Sequence, residues 1–448
     1  MYEINLINNR HYNMNNNDTI FALSSGHGKS GVAVIRISGE SLRDVFAMFV
    51  GRDEPRARHA YFTNLQDENG ELIDQCLVIY FSTPNSFTGE DVIEIHSHGA
   101  SAVINKIFEY LSGLGMRMAT PGEFSRRAFY NNKMDLTDVD GLAALLDAQT
   151  DVQRKHALRS MLGRDSDIYN TWRAQMVSVS AYAAAILDYS PDDLPPNIGD
   201  TINVLVQRLY DEIDTALRGY QTSRAITGGI NVVLIGETNV GKSSIFNHLV
   251  GSNRAIVSDI AGTTRDVVSA NLDIDGFMIN LSDTAGLRET DDVIETIGIQ
   301  RTRSEIENAD IVINVLCPDT QAPLPSKIPE NHIYVMNKSD LLHHHSVQNI
   351  IYTSVKTGAG LSNLMDILRK KIHKIMDGAE SSLSVNARTK SLLENARSEL
   401  LSAINAGDNY DIFAEHTRRA SDFIGKILGV ITATEILDAT FGQLCLGK

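Results

Sequence analysis

The chain has 448 residues, 43% hydrophobic and 21% charged, with a formal net charge of -16; it is long enough for several ordinary cores and has the composition of a soluble globular protein. No apolar run approaches the roughly 18 residues that cross a bilayer, and no global basic field exists to drive nucleic-acid binding, though a local basic patch has room. Cys76, Cys317 and Cys445 are too few and too scattered for a disulfide framework or a zinc spacing, so a cytoplasmic location is expected.

Residues 1–17 are polar and Asn-rich, lack the apolar segment of a secretory signal, and read as a disordered extension, with Met14 an alternative start. Residues 18–132 predict an N-terminal α+β domain. GVAVIRIS, QCLVIYF and DVIEIHS are short strand-like runs. In SAVINKIFEYLSGLG, Val103, Ile104, Ile107, Phe108 and Leu111 recur at helical spacing before Gly113 and Gly115.

Residues 133–226 predict helices. One runs from Leu136 to Leu162, with Leu142, Leu145, Leu146, Val152, Leu158 and Met161 on one face. A second covers TWRAQMVSVSAYAAAILDYS and stops at PDDLPP, where Pro195 and Pro196 cannot continue it. A third carries Ile202, Leu205, Val206, Leu209, Ile213 and Leu217. From 227 to 378 strands alternate with helices, the pattern of a parallel sheet, and 379–448 turns helical again. The expectation is a multi-domain α/β and α protein: an N-terminal α+β domain, then a discontinuous helical domain interrupted by an inserted Ras-like P-loop GTPase domain. His343, His344 and His345 read as solvated loop rather than a metal site.

NVVLIGETNVGKSS holds a G-x-x-x-x-G-K-S motif between a predicted strand (Val232 to Ile235) and a predicted helix (Ile245 to Leu249). Loop amides and a helix N-terminus cradle phosphates there. Lys242 adds positive charge at the β/γ-phosphates and the Ser243 hydroxyl binds Mg2+; Asn239, Val240, Gly241 and Ser244 complete this part of the GTP set. NKSD, Asn337 to Asp340, follows the strand-like IYVM. Asp340 can accept from both guanine donors, a pair that adenine lacks; Asn337 can bridge purine and P-loop. Lys338, Ser339, Ser354 and Lys356 fill out the base site. DTAGL brings Asp283 towards Mg2+ through water and the Gly286 amide towards the γ-phosphate, with Thr284 and Ala285 between them.

Leu287 cannot hydrogen-bond the attacking water that Ras-like enzymes orient with Gln at this place. Two candidates answer the gap. The segment Ser258, Asp259, Ile260, Ala261, Gly262, Thr263 precedes Thr264, the expected switch Thr on Mg2+; its oxygens, with Asn239, suit a monovalent cation near the β/γ-bridge. Glu295, in DDVIETIG, is placed to orient water.

The phrases GHGKSGVAVIRISG, PNSFTGEDVIEIHSHG, TPGEFSRRAFYNNKMDL, SDIAGTTRD, DTAGLRE and the C-terminal C-x-G-K together resemble the MnmE (TrmE) family of tRNA-modification GTPases over nearly everything after residue 17. The resemblance implies a potassium-activated GTPase that modifies carbon 5 of the wobble uridine to aminomethyl or carboxymethylaminomethyl forms. It implies a one-carbon unit from 5-formyltetrahydrofolate or a related tetrahydrofolate. It also implies a homodimer through the N-terminal domain and a heterotetramer with an MnmG-type partner that carries FAD and uses NADH. The family's folate contacts fall on Arg36, Glu94, Lys133 and Lys448, its K+ ligands on Asn239, Ser258, Ile260 and Thr263, its water-orienting glutamate on Glu295. Cys445 becomes a catalytic candidate; Leu444 replaces the family's usual aromatic. A GTP-dependent ribosome-assembly factor and a GTP-binding scaffold are the competing readings.

Overall fold

In the N-terminal part, alternation of apolar and polar residues along each strand decides which face is covered. The computed structural model describes residues 18–26, 28–256, 268–283, 305–319, 328–342, 349–379 and 382–430. The chain divides between Val139 and Asp140 into two compact units. The first holds β1 (Ile20–Leu23), β2 (Ser30–Gly39), α1 (Arg43–Val50), β3 (Ala60–Gln66), β4 (Leu72–Phe81), β5 (Asp91–Gly99), α2 (Ser101–Gly113), β6 (Arg117–Met118) and α3 (Glu123–Tyr130). Its sheet runs β3-β4-β5-β2-β1-β6. Ile35, Ile37, Val78, Ile93 and Ile95 point from the sheet onto Phe46 and Phe49 of α1 and Ile107 and Leu111 of α2. Arg36 and Glu94 lie between those apolar positions, so the period of two sends them to the opposite face.

α4 (Leu136–Asp147) carries the chain into the second unit. The single helix expected to Leu162 is interrupted: α5 (Asp151–Met161) begins afresh. Thr150 Oγ1 accepts from the Gln153 amide while Gln153 Oε1 accepts from the Thr150 amide, at 3.4 and 3.1 Å, a capping box that starts a new helix within a continuous apolar pattern. α6 (Arg164–Asp188), α7 (Ile198–Arg218) and α8 (Tyr220–Gly228) follow, with Pro195 and Pro196 in the break between α6 and α7.

The next segment builds a seven-stranded sheet from β7 (Ile230–Ile235), β8 (Arg254–Ile256), β9 (Val268–Ile274), β10 (Phe277–Asp283), β11 (Ile311–Leu316), β12 (His332–Met336) and β13 (Ile351–Tyr352). Its order is β13-β12-β11-β7-β10-β9-β8. β10, β7, β11, β12 and β13 are parallel. Their apolar faces, Leu234, Ile313 and Val315 among them, pack on Ile245 and Leu249 of α9 (Lys242–Ser252) and Leu364 and Leu368 of α10 (Leu361–Ile375). α11 (Ala387–Ala406) and α12 (Tyr410–Leu428) then return to the helical bundle. Tyr169, Trp172 and Val179 of α6, Val206 and Leu209 of α7, Leu393 and Leu400 of α11, and Phe413 and Ile424 of α12 form one core. Stretches from both sides of the sheet domain therefore share a single helical interior. No helix among the described residues is long and apolar enough to cross a membrane.

Candidate functional site

A parallel sheet exposes its strand ends where neighbouring crossovers diverge, and ligands bind outside the carboxyl ends there. β7 is that strand, flanked by β10 and β11. Its end runs straight into the glycine-rich loop. Gly236 has φ 150° and a Cβ there would sit 2.2 Å from the Val315 carbonyl; Gly241, at φ 96°, would drive a Cβ to 2.2 Å from Asn337 Nδ2. Both close approaches require glycine. Asn239 adopts φ 63° and is exposed. α9 starts at Lys242, whose side chain is 6% exposed and donates from Nζ to the Gly236 and Glu237 carbonyls at 2.9 and 2.7 Å. The ammonium thus stands inside the loop where phosphate oxygens would replace carbonyls.

Ser243 Oγ donates to Asp283 Oδ2 at 2.9 Å. A hydroxyl and a buried carboxylate meeting at the mouth of a P-loop form an oxygen donor set that suits Mg2+. Asp283 ends β10, placed by the parallel register with β7 that pairs it with Leu234.

The segment expected to recognise the base is built from the ends of β12 and β13. Asn337, 3% exposed, donates from Nδ2 to the Val240 carbonyl at 2.9 Å and so ties this segment to the phosphate loop. Lys338 takes φ 56°, and the Ser339 amide donates to the Thr353 carbonyl. Ser354 Oγ donates to Asp340 Oδ1 at 2.6 Å. That bond holds the exposed carboxyl below its ordinary value, assisted by Lys356. Ser354 is thereby brought together with Asp340. Ser244 and Lys356 are exposed beside the loop and the base segment. Ser258, Asp259, Ile260, Ala261, Gly262, Thr263, Thr264, Thr284, Ala285, Gly286, Leu287, Glu295, Cys445 and Lys448 lie outside the described residues.

In the first unit, Arg36 and Glu94 are register partners on β2 and β5. Arg36 donates twice to Glu94 Oε1, at 3.1 and 2.9 Å, and its guanidinium lies over the Phe87 and Phe124 rings at 5.1 and 5.8 Å. The two expected folate contacts thus satisfy each other, and a ligand would exchange for one of them. Lys133 is exposed, with its stem beside Gly89. Near Gly89 a cavity of about 340 Å³ is walled by Glu40, Glu90, Asp91 and Arg127 among others; three carboxylates against one guanidinium do not suit a polyanion.

Sequence reasoning missed a partly buried ionic network in this unit. Arg127 donates to both Glu90 oxygens, to Asp18 and to Glu123, while Arg117 donates to Glu123 and Asp18. Burial pushes the Glu123 carboxyl up, but Arg117 and the Thr120 amide outweigh it and bring it down to about 2. The phrases GED and TPGEFSRR contain Glu90, Glu123 and Arg127, and only Glu123 and Arg127 stand at helical spacing; nothing in the spacing brings Asp18, Glu90 and Arg117 to them. A wide cleft of about 990 Å³ between α6, α7 and residues 377, 378, 382 and 383, lined by Trp172, Val204 and Leu383, holds none of the expected site residues.

The family model described as GTP-binding protein TrmE N-terminus matches residues 19–133, and the MnmE helical domain model matches residues 136–445. The tRNA modification GTPase MnmE of Rhizobium etli (strain CIAT 652) is 39% identical over 438 residues, covering 96% of this chain and 99% of that protein. The protein of the same name from Brucella ovis (strain ATCC 25840 / 63/290 / NCTC 10512) is 39% identical over 437 residues, covering 96% and 98%. The solved G domain of the T. maritima FeoB iron transporter is 26% identical over 33% of this chain and 98% of that one, at a TM-score of 0.23, too low to bear on the fold.

Proposed function

The chain belongs to the MnmE family of tRNA modification GTPases, and on that premise we propose that it hydrolyses GTP as its part in modifying tRNA. The observation that carries this reading is the convergence at the strand ends: Lys242 within the loop, Asp283 on Ser243, and Asp340 turned by Ser354. Loop amides and Lys242 hold the phosphates, Asn337 fixes loop to base segment, and Asp340 accepts from the two guanine donors. Mg2+, when bound, supplies charge neutralisation at the β/γ-phosphates; the chain contributes Ser243, Asp283 behind it, and Thr264.

Leu287 leaves the attacking water to another group, assigned here to Glu295. K+ belongs, in this reading, to Asn239, Ser258, Ile260 and Thr263. Tetrahydrofolate is, in this reading, the source of the one-carbon unit, with Arg36, Glu94, Lys133 and Lys448 as contacts; the match of the N-terminal model over residues 19–133 fits folate binding there. The wobble uridine of tRNA is the target, an MnmG-type protein carrying FAD and using NADH the partner, and the N-terminal domain the seat of homodimerisation. Cys445 is kept as a catalytic candidate.

Mass spectrometry of wobble uridines from cells lacking the gene tests the function. Loss of the carbon-5 group is expected, and restoration by the Cys445→Ser chain would remove that residue from the chemistry. Unaltered uridines would sink the reading. GTP turnover by the purified chain should run at least about tenfold faster in K+ than in Na+, and Glu295→Ala should lower turnover with GTP affinity kept. Equal rates in both salts would remove the cation.

A further inference from the structure

β9 and β10 form a hairpin whose two free ends, Val268 and Asp283, are register partners. β9 follows the segment containing Thr264, and β10 ends on Asp283. At the tip, Asp275 and Gly276 both take positive φ, 54° and 84°, and the Gly276 amide donates to Asp273 Oδ1 at 2.8 Å. A Cβ on Gly276 would lie 3.4 Å from the Val152 side chain, so the tip rests on the first turn of α5.

Beside Val152, the Gln153 amide uses both its ends, and it is 7% exposed. Oε1 accepts from the Gln149 and Thr150 amides at 2.9 and 3.1 Å. Nε2 donates to the Thr227 carbonyl at the end of α8 and to Met278 Sδ in β10, at 3.1 and 3.3 Å. Two N–H donors on one end and two acceptors on the other fix which end is oxygen. Two residues further along β10, Asn280 donates to the Gly228 carbonyl at 2.8 Å. Met278 and Asp283 share one strand with about 16 Å between them at 3.3 Å per residue. Displacement of Asp283 along the strand therefore reaches Gln153 without an intervening loop.

We propose that Gln153 is a positioning residue that couples the nucleotide-bearing hairpin to α5 of the helical bundle. The inference rests on the GTPase reading above and deepens it. Capping α5 is one job of this side chain; joining α5 to β10 is the other, and the two can be separated. Gln153→Glu keeps an oxygen for both capping amides, where an acidic group at a helix N-terminus is favourable. It removes the two donated bonds and turns a carboxylate oxygen towards the Thr227 carbonyl. Thr150→Ala does the reverse, weakening the cap and leaving the joint.

The experiment is amide hydrogen exchange over residues 151–161 in the full chain, with GDP and with a non-hydrolysable GTP analogue. Nucleotide affinity, GTP turnover and melting are measured on the same preparations. The wild type should show a nucleotide-dependent exchange difference in α5. Gln153→Glu should reduce that difference at least threefold with nucleotide affinity kept. Thr150→Ala should lower the melting temperature and keep the difference. An undiminished difference in Gln153→Glu, or none in a wild type that turns over GTP, would overturn the coupling alone. A wild type without GTP turnover would overturn the function and the coupling together.

Discussion

Asp340 and Glu123 mark two kinds of residue-level legibility. Asp340 is readable from N-K-x-D because the base segment is a local loop whose spacing survives in sequence. Its orientation by Ser354 joins two strand ends and needed the fold. Replacing Asp340 by Asn should weaken GTP binding by about tenfold or more, since charge-assisted bonds are worth roughly 1.5–3 kcal/mol; calorimetry showing unchanged affinity would refute the base assignment. Glu123 was not readable, because Arg117 on β6 reaches it, and Asp18 and Glu90 reach its helix neighbour Arg127, only after the elements come together. Its folded-state carboxyl titrates near 2 against an ordinary 4.5. The depressed value contributes stability that is complete above 4.5 and is lost as pH falls towards 2. Glu123→Gln should cost about 3 kcal/mol at pH 7, and the gap to wild type should shrink by more than half at pH 3. Urea titrations at both pH values read this directly, and a pH-independent gap would contradict it.

At the scale of elements, the strands and most helices follow from periodicity, since burial on one face is what periodicity encodes. The boundary between α4 and α5 is the exception. The apolar spacing of Leu142, Leu145, Leu146 and Val152 runs across it, and only the T-x-x-Q pattern at Thr150 to Gln153 announces the new start. The phosphate loop is legible for the opposite reason: its glycines answer local backbone geometry, φ 150° at Gly236 and 96° at Gly241. Gly241→Ala places a methyl against Asn337 and forces φ 96° on an L-residue, a conformation costing on the order of 1–2 kcal/mol before any collision is counted. GTP affinity should fall at least about tenfold; normal affinity by fluorescence titration would mean that the loop opens in solution.

For the whole molecule, the order of domains was visible as changes of texture at residue 227 and after residue 378. That the helical stretches on either side share a core was not, because their contacts span sequence distances that no local pattern records. Ser180 meets Thr417, and Ser223 Oγ both accepts from the Val385 amide and donates to its carbonyl, at 2.9 and 3.2 Å. Replacing residues 229–377 by a short glycine-serine linker should leave a bundle that melts cooperatively by circular dichroism, since Ser223 and Val385 already touch. Loss of cooperative melting would mean that the bundle depends on the insertion. The insertion also sets a schedule during synthesis. Between the end of α8 and the start of α11 a ribosome adds 158 residues (229 to 386), about 8–30 s of elongation at roughly 5–20 residues per second. Through that interval Tyr169, Trp172, Val206 and Leu209 wait for the partners that will cover them. A GTPase domain that folds first brings the chain leaving it back to the helix that enters it, as Thr222 of α8 on the Ile375 carbonyl illustrates, and hands the late helices a closed loop instead of an open one. Chains stalled just before α11 should therefore resist protease across the sheet domain while α6 and α7 are still cut.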